Sequence, residues 1–179
     1  MALYTSHTYG GFMKLLVRLY TAFCNAAEKL CSPLLLAVRL YWGWQFMQTG
    51  WGKLHNQAKI IDFFTSLNIP FPALNAHFVS GLEFFGGILL ILGLFARPIA
   101  FLLTGSMFVA YWTADHDALV SIFSNPGKFY GADPYTFLFA AIMVLAFGPG
   151  LFSLDALIEK KLHARARTRE QLETDAVTG

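Results

Sequence analysis

Long apolar segments with very few charged side chains constrain this fold more than any other feature. Residues 81–98, GLEFFGGILLILGLFARP, contain a single carboxylate, that of Glu83. Only 13% of the 179 residues are charged and 56% are hydrophobic, whereas a soluble domain carries about 25% charged residues. Because about 20 apolar residues in a helix can cross a bilayer, the sequence predicts an integral membrane protein.

Start and stop signals divide the apolar part of the chain into four predicted transmembrane helices. Ser32 and Pro33 give a cap followed by proline at the first helical position, and Gly148-Pro149-Gly150 gives a stop signal. The turn around Arg97 is too short for anything but two antiparallel helices. The predicted fold is all-α, a polytopic up-down four-helix bundle with spans at 33–52, 74–95, 98–114 and 134–147.

Three regions follow from this division. Residues 1–31 are predicted to form an N-terminal amphipathic helix that lies in the membrane interface, because 12–30 carry a polar stripe opposite an apolar face. Residues 32–158 form the transmembrane domain, with a short interfacial helix within 58–69. Ser153 caps a final helix that has Asp155 in its first turn, and 159–179 form a charged cytoplasmic tail.

The distribution of Lys and Arg predicts the orientation. With four spans, the side that holds the N-terminal region, the turn at Arg97 and the tail carries nine basic residues, and the other side carries three. The positive-inside rule therefore places both termini in the cytoplasm. Anionic membrane lipid explains the basic tail, so nothing here indicates a nucleic-acid partner.

Two charged residues within the predicted spans, Arg39 and Glu83, need a reason to be there. An ionised side chain at mid-membrane costs ~2.5–3.5 kcal/mol on insertion scales. Gly43, Gly50 and Lys53 share a helical face with Arg39, and a second small-residue face surrounds Glu83, which favours close approach of the two helices. We therefore expect an Arg39–Glu83 ion pair, which either binds a ligand or proton or only fixes helix register.

A second polar group gathers on the outer side. It contains Lys53, His77 and His116 as candidate ligand or proton-site residues, with His55, Asp115, Asp117 and Asp133 nearby. Histidines with carboxylates can bind metals or relay protons. None of them shows the tight spacing of a metal motif, so solvated loop residues are favoured over a metal site.

The two cysteines do not indicate thiol chemistry. Cys24 and Cys31 are seven residues apart, which places them roughly 10 Å apart along a helix, too far for a disulfide. Without a Cys-x-x-Cys pattern, a redox dithiol or zinc site is not predicted. Phosphate-binding loops, a nucleophilic serine elbow and haem-attachment motifs are also missing from the sequence.

At these residues the sequence resembles the DoxX family of small four-helix bacterial membrane proteins. The resemblance covers 32–158 and rests on two stretches, RLYWGWQFMQTGWGKL with Arg39, Gly50 and Lys53, and LEFFGGILLILGLFAR with Glu83, Gly86, Gly87, Gly93 and Arg97. His116 and GPGLFSLD complete it. The family implies a multi-pass protein of the bacterial cytoplasmic membrane, and some relatives are similar to membrane subunits of quinone-linked oxidoreductases such as thiosulfate:quinone oxidoreductase. Relatives with a catalytic dithiol differ from this chain.

The sequence is compatible with two functions from different classes, and a third is less favoured. In the first, the chain is a membrane subunit that binds a quinone or a small apolar ligand through Arg39 and Glu83, while a soluble or membrane redox partner supplies electrons. Its cavity would be lined by Trp42, Phe46, Phe84 and Phe85, and an interior opening of roughly 300 Å³ at Glu83 would favour it. In the second, the chain is a non-enzymatic scaffold that recruits a soluble partner. The third is a small transporter with Glu83 as proton site.

Overall fold

Residues 6–178 are described by a computed structural model, and all of their regular structure is helical. Residues 1–5 and Gly179, which belong to the predicted N-terminal and C-terminal regions, lie outside the described residues. The helices are α1 (Ser6–His55), α2 (Gln57–Ser66), α3 (Pro72–Leu92), α4 (Ala96–Thr113), α5 (His116–Val120), α6 (Pro126–Tyr130), α7 (Pro134–Phe147) and α8 (Leu154–Thr178).

The first helix is continuous where a break was expected. α1 contains 50 residues with Pro33 inside it, so the predicted start of a new helix at Ser32 and Pro33 is wrong. Proline removes one backbone donor and crowds one carbonyl, but apolar helices tolerate it when neighbouring groups satisfy the freed backbone. At ~1.5 Å per residue, α1 is about 75 Å long, far more than a bilayer requires.

Small residues bring α1 and α3 into close contact. A Cβ added at Gly87 would lie 2.5 Å from the Gly43 carbonyl oxygen and from the Met47 nitrogen, and one added at Gly50 would meet the backbone of Glu83 and Phe84. Ala76, Ser80, Glu83 and Gly87 are all buried on the facing side of α3. The predicted small-residue faces are therefore confirmed as the contact between these two helices.

The remaining long helices enclose the core. α4 packs against α3 and α7, and α7 also contacts α1. The largest buried hydrophobic cluster lies between these helices and contains Phe46, Leu90, Ala96, Ala100, Leu103, Met107, Ala141 and Val144. At the other end of α4, the Tyr111 hydroxyl donates to the Phe129 carbonyl at 2.8 Å, which fixes the α5–α6 segment over the core.

The start of α8 closes one end of this core, the end at which α3 turns into α4. The predicted tight connection is present, but it lies at residues 93–95, where Gly93 and Phe95 both have positive φ. Arg97 and Pro98, where the turn was expected, lie in the first turn of α4. The Asp155 carboxylate accepts from the Phe95 and Ala96 amides at 2.9 and 3.0 Å. As predicted, Ser153 caps α8, since its hydroxyl oxygen accepts from the Ala156 amide at 3.1 Å.

Replacing Asp155 by alanine is expected to destabilise the protein by about 1–2 kcal/mol, because two amide donors at the start of α4 lose their acceptors. Thermal unfolding in detergent measures the effect. Asp62 is exposed on α2, so Asp62→Ala serves as the control and should leave the midpoint unchanged. Equal midpoints for the two variants would show that Asp155 does not stabilise the turn.

Among the described residues, α3 is the one helix whose length and composition clearly suit a membrane crossing. α7 is apolar but has only 14 residues. Large apolar side chains are exposed along the outside of the packed helices, including Trp44, Phe78, Phe85, Phe101, Phe108 and Phe139. An apolar surface of this kind is typical of a face that contacts lipid or another protein.

Candidate functional site

Glu83 is the most deeply buried carboxylate that the structure describes, and it has one charged partner. Its side chain is 1% exposed, and Lys53 Nζ donates to its Oε1 at 2.5 Å. Lys53 lies in the last turn of α1, where the helix dipole favours a cation. Because Gly50 brings the α1 backbone against Glu83 and Phe84, the lysine one turn later reaches the carboxylate directly.

Two uncharged groups extend this pair. Ser80 is fully buried one turn before Glu83 on α3, and its hydroxyl accepts a hydrogen bond from Gln57 Nε2 at 2.9 Å. Gln57 is the first residue of α2, just after α1 ends at His55. The four side chains of Lys53, Gln57, Ser80 and Glu83 are called the Glu83 cluster below. It lies where the break between α1 and α2 faces α3.

Arg39 does not belong to this cluster, so the expected Arg39–Glu83 ion pair is wrong. Arg39 is 1% exposed, and its guanidinium donates to the carbonyls of Pro149 and Phe152 at 2.5 and 2.6 Å. It also lies against Gly93, the residue that ends α3. The C-termini of α3 and α7 thus converge on Arg39, and their partial negative charge favours a cation.

The register of the two helices explains why the pair does not form. Gly50 lies level with Glu83, whereas Arg39 lies level with Gly93. Ten residues of α3 separate these levels, which is about 15 Å along the axis. The prediction of an Arg39–Glu83 pair assumed that both spans are centred at the same depth in the membrane. That assumption underestimated the distance between Arg39 and Glu83 along the helix axis. Glu83 instead pairs with a nearer cation, Lys53, and the Arg39 guanidinium donates to nearer carbonyls.

The two histidines predicted for the site lie on the surface. His77 is exposed on α3, with Nδ1 bonded to the Ala73 carbonyl at 2.7 Å. His116 is exposed at the start of α5, with its ring centroid 5.3 Å from that of Trp112. Neither belongs to the Glu83 cluster. Among the described residues, no group of three or more His, Cys, Asp or Glu is arranged to hold a metal ion.

The four aromatic residues predicted to line a cavity divide into two pairs. Phe46 is fully buried and Trp42 half-buried, and both pack edge-to-face against Phe137 of α7 at centroid distances of 4.8 and 5.3 Å. Phe84 is half-buried beside Trp51, whereas Phe85 is 61% exposed. Phe84, which follows Glu83 in the chain, is the one of the four that is next to a residue of the Glu83 cluster in sequence.

An open apolar groove of about 630 Å³ lies elsewhere, between α1 and α7. None of the residues that line it belongs to the Glu83 cluster, so it is not the opening expected at Glu83. Access to the cluster instead lies at Lys53, whose side chain is 32% exposed, and at the partly exposed Gln57. The groove is lined by Ala27, Leu30, Cys31, Pro33, Leu34, Leu35, Met143 and Phe147.

Sequence reasoning missed Gln57 as a site residue and gave Glu83 the wrong partner. Lys53 was on the correct face of α1, and its spacing of three residues from Gly50 was the available signal. Gln57 gave no such signal, because its position depends on the break between α1 and α2. After that break, α2 packs against α3, a tertiary contact that local sequence signals do not report.

Comparison with known proteins confirms the resemblance. The DoxX family model matches residues 34–116, which include all four residues of the Glu83 cluster, and this similarity suggests an integral membrane protein. A Haemophilus influenzae protein named "Uncharacterized protein" is 29% identical over 130 residues, which are 70% of this chain and 83% of that relative. No solved structure matches the chain.

Proposed function

We propose that this chain, whose residues 34–116 match the DoxX family model, is a membrane subunit that binds a quinone or a small apolar ligand at the Glu83 cluster. The observation that carries the proposal is that Glu83 is buried and that one of its two carboxylate oxygens has no hydrogen-bond partner. Its Oε1 is paired with Lys53, while its Oε2 is buried without a partner. A buried polar atom without a partner in the protein is a candidate ligand contact.

In the proposed arrangement, α3, α4, α7 and the part of α1 after Pro33 cross the bacterial cytoplasmic membrane up and down, with both termini in the cytoplasm. The ring of contacts among these helices and the apolar outer surface support it. The predominance of basic residues on the side of the α3–α4 turn supports the orientation.

The cluster supplies binding and proton exchange rather than electron transfer. Lys53 can donate to a ligand oxygen and Glu83 can accept a proton from one, and the partly exposed Lys53 leads from the carboxylate toward the surface. The reaction of a quinone consumes or releases protons together with electrons, so a buried carboxylate at its oxygen suits it. In this proposal, a separate redox partner delivers the electrons.

Titration of the detergent-purified protein with a short-chain ubiquinone, in oxidised and reduced forms separately, tests this function. We expect at least one form to bind, and Glu83→Gln to weaken that binding about tenfold or more. Glu28 is exposed on α1, so Glu28→Gln is the matched control and should bind like the wild type. The proposal fails if neither form binds the wild type, or if both variants bind equally.

A scaffold function is the second candidate, favoured by the exposed N-terminal part of α1. Its apolar side chains include Met13, Leu15, Leu16, Val17, Leu19 and Phe23, all more than 40% exposed. Side chains exposed to this degree suit attachment to lipid or to a soluble partner. In this reading the Glu83 cluster only fixes the α1–α3 register, and the quinone titration returns no binding.

A further inference from the structure

We infer that the Glu83 cluster selects a ligand that donates hydrogen bonds, so that a hydroquinone binds in preference to its quinone. The inference rests on the proposed function and adds the redox form of the ligand. It follows from the two buried atoms of the cluster that have no hydrogen-bond partner, Gln57 Oε1 and Glu83 Oε2, both of which are acceptors.

The orientation of the Gln57 amide is fixed by Ser80. The Ser80 hydroxyl donates its only hydrogen to the Ala76 carbonyl at 2.6 Å. Toward Gln57, the serine oxygen can therefore only accept, and the group 2.9 Å away must be the amide nitrogen. Gln57 Oε1 consequently points away from Ser80, where it is buried and has no partner.

Glu83 presents a second open acceptor. Its Oε1 accepts from Lys53, and its Oε2 is buried without a partner. Ser80 and Glu83 are one turn apart on the same face of α3, so the Gln57 amide that donates to Ser80 lies on the same side of α3 as the Glu83 carboxylate. Adjacent positions on one helix face are about 5–6 Å apart between Cβ atoms, within the span of one phenolic ring.

Two buried acceptors discriminate between the redox forms. A hydroquinone hydroxyl donates to either oxygen, whereas a quinone carbonyl has only lone pairs and would leave the acceptors unpaired. Sites whose buried polar groups are left unpaired by the wrong ligand reject it strongly. The half-buried ring of Phe84, next to Glu83, offers an apolar surface for the ligand ring.

The test is an anaerobic titration of the full chain in detergent with a short-chain ubiquinol and, separately, with the corresponding ubiquinone. Isothermal titration calorimetry measures the two affinities. We expect the ubiquinol to bind at least about tenfold more tightly, since each buried acceptor left unpaired costs of that order. Gln57→Met, which removes an acceptor, should reduce this preference several-fold. Gln48 is exposed on α1, so Gln48→Met should preserve it.

Ser80→Ala gives an independent check if Gln57→Met fails to fold. It removes the group that orients the Gln57 amide and creates little change in volume, so the amide can reverse and the preference for ubiquinol should fall. Equal or tighter binding of ubiquinone by the wild type would overturn this inference and leave the proposed function standing. Binding of neither form would instead remove the proposed function.

Discussion

Replacing Lys53 by methionine is expected to destabilise the protein by about 3 kcal/mol or more, because it leaves the Glu83 carboxylate buried without a counter-ion. Glu83 is 1% exposed, so the carboxylate cannot turn to water for compensation. Glu83→Gln should cost less, since the 32% exposed Lys53 side chain can reach solvent. Unfolding in detergent, monitored by circular dichroism, measures both.

A pair of double-mutant cycles makes this prediction specific. Lys53→Met combined with Glu83→Gln should cost little more than Glu83→Gln alone, which corresponds to a large coupling energy. Arg39→Met combined with Glu83→Gln should be additive within about 0.5 kcal/mol, because these residues share no contact. Coupling between Arg39 and Glu83 as large as that of Lys53 with Glu83 would contradict the observed pairing.

The other described ion pair provides a matched control. Lys128 Nζ lies 3.6 Å from Asp117 Oδ2, and their side chains are 50% and 86% exposed. Exposed pairs contribute about 0–1 kcal/mol. Lys128→Met should therefore change stability far less than Lys53→Met, although both substitutions remove a lysine from a carboxylate.

Replacing Gly50 by alanine is expected to destabilise the protein by about 1–3 kcal/mol, because the new methyl group has no space. It would lie 2.7 Å from the Phe84 Cα and 2.8 Å from the Glu83 carbonyl carbon, and backbone atoms cannot move aside as a flexible side chain can. The α1–α3 separation must therefore increase, and Lys53 would be drawn away from Glu83.

Gly52 is the matched control for this substitution. It lies on the same helix, and a Cβ added there meets nothing within 4 Å. Gly52→Ala should be neutral or stabilise the protein by up to about 1 kcal/mol, since alanine is the better helix former. Thermal unfolding of both variants in detergent measures the difference in stability. Similar midpoints would show that α1 and α3 are not in close contact at Gly50.

Much of the local structure could be predicted from the sequence because it depends on local signals. The helices at Pro72–Leu92, Ala96–Thr113 and Pro134–Phe147 lie close to the predicted spans. The Ser153 cap is also as predicted, and the tight turn between α3 and α4 lies a few residues before the predicted position at Arg97 and Pro98. Apolar length, glycine stops and capping hydroxyls act within a few residues, so the sequence reports them directly.

Pro33 is an instructive failure among the local signals. It fits the first position of a helix, and the residues before it have a different polar pattern, so a break at Ser32 was expected. α1 nevertheless continues through Pro33. A proline signal does not distinguish a helix start from a tolerated interior position, because the difference depends on the groups around it.

The sequence by itself determined that Arg39 and Glu83 are buried charges on helices with small-residue faces, since apolar surroundings and spacing are local properties. Only the tertiary structure decided their partners. Lys53 pairs with Glu83, and the carbonyls of Pro149 and Phe152 hold Arg39. The axial register of α1 against α3 fixes both choices, and that register is set by the interlocking of Gly43, Gly50 and Gly87 with the opposite backbone. If α1 were shifted along α3 by one helical turn, the same small-residue faces would still be in contact. The buried charges on these faces would then meet different partners.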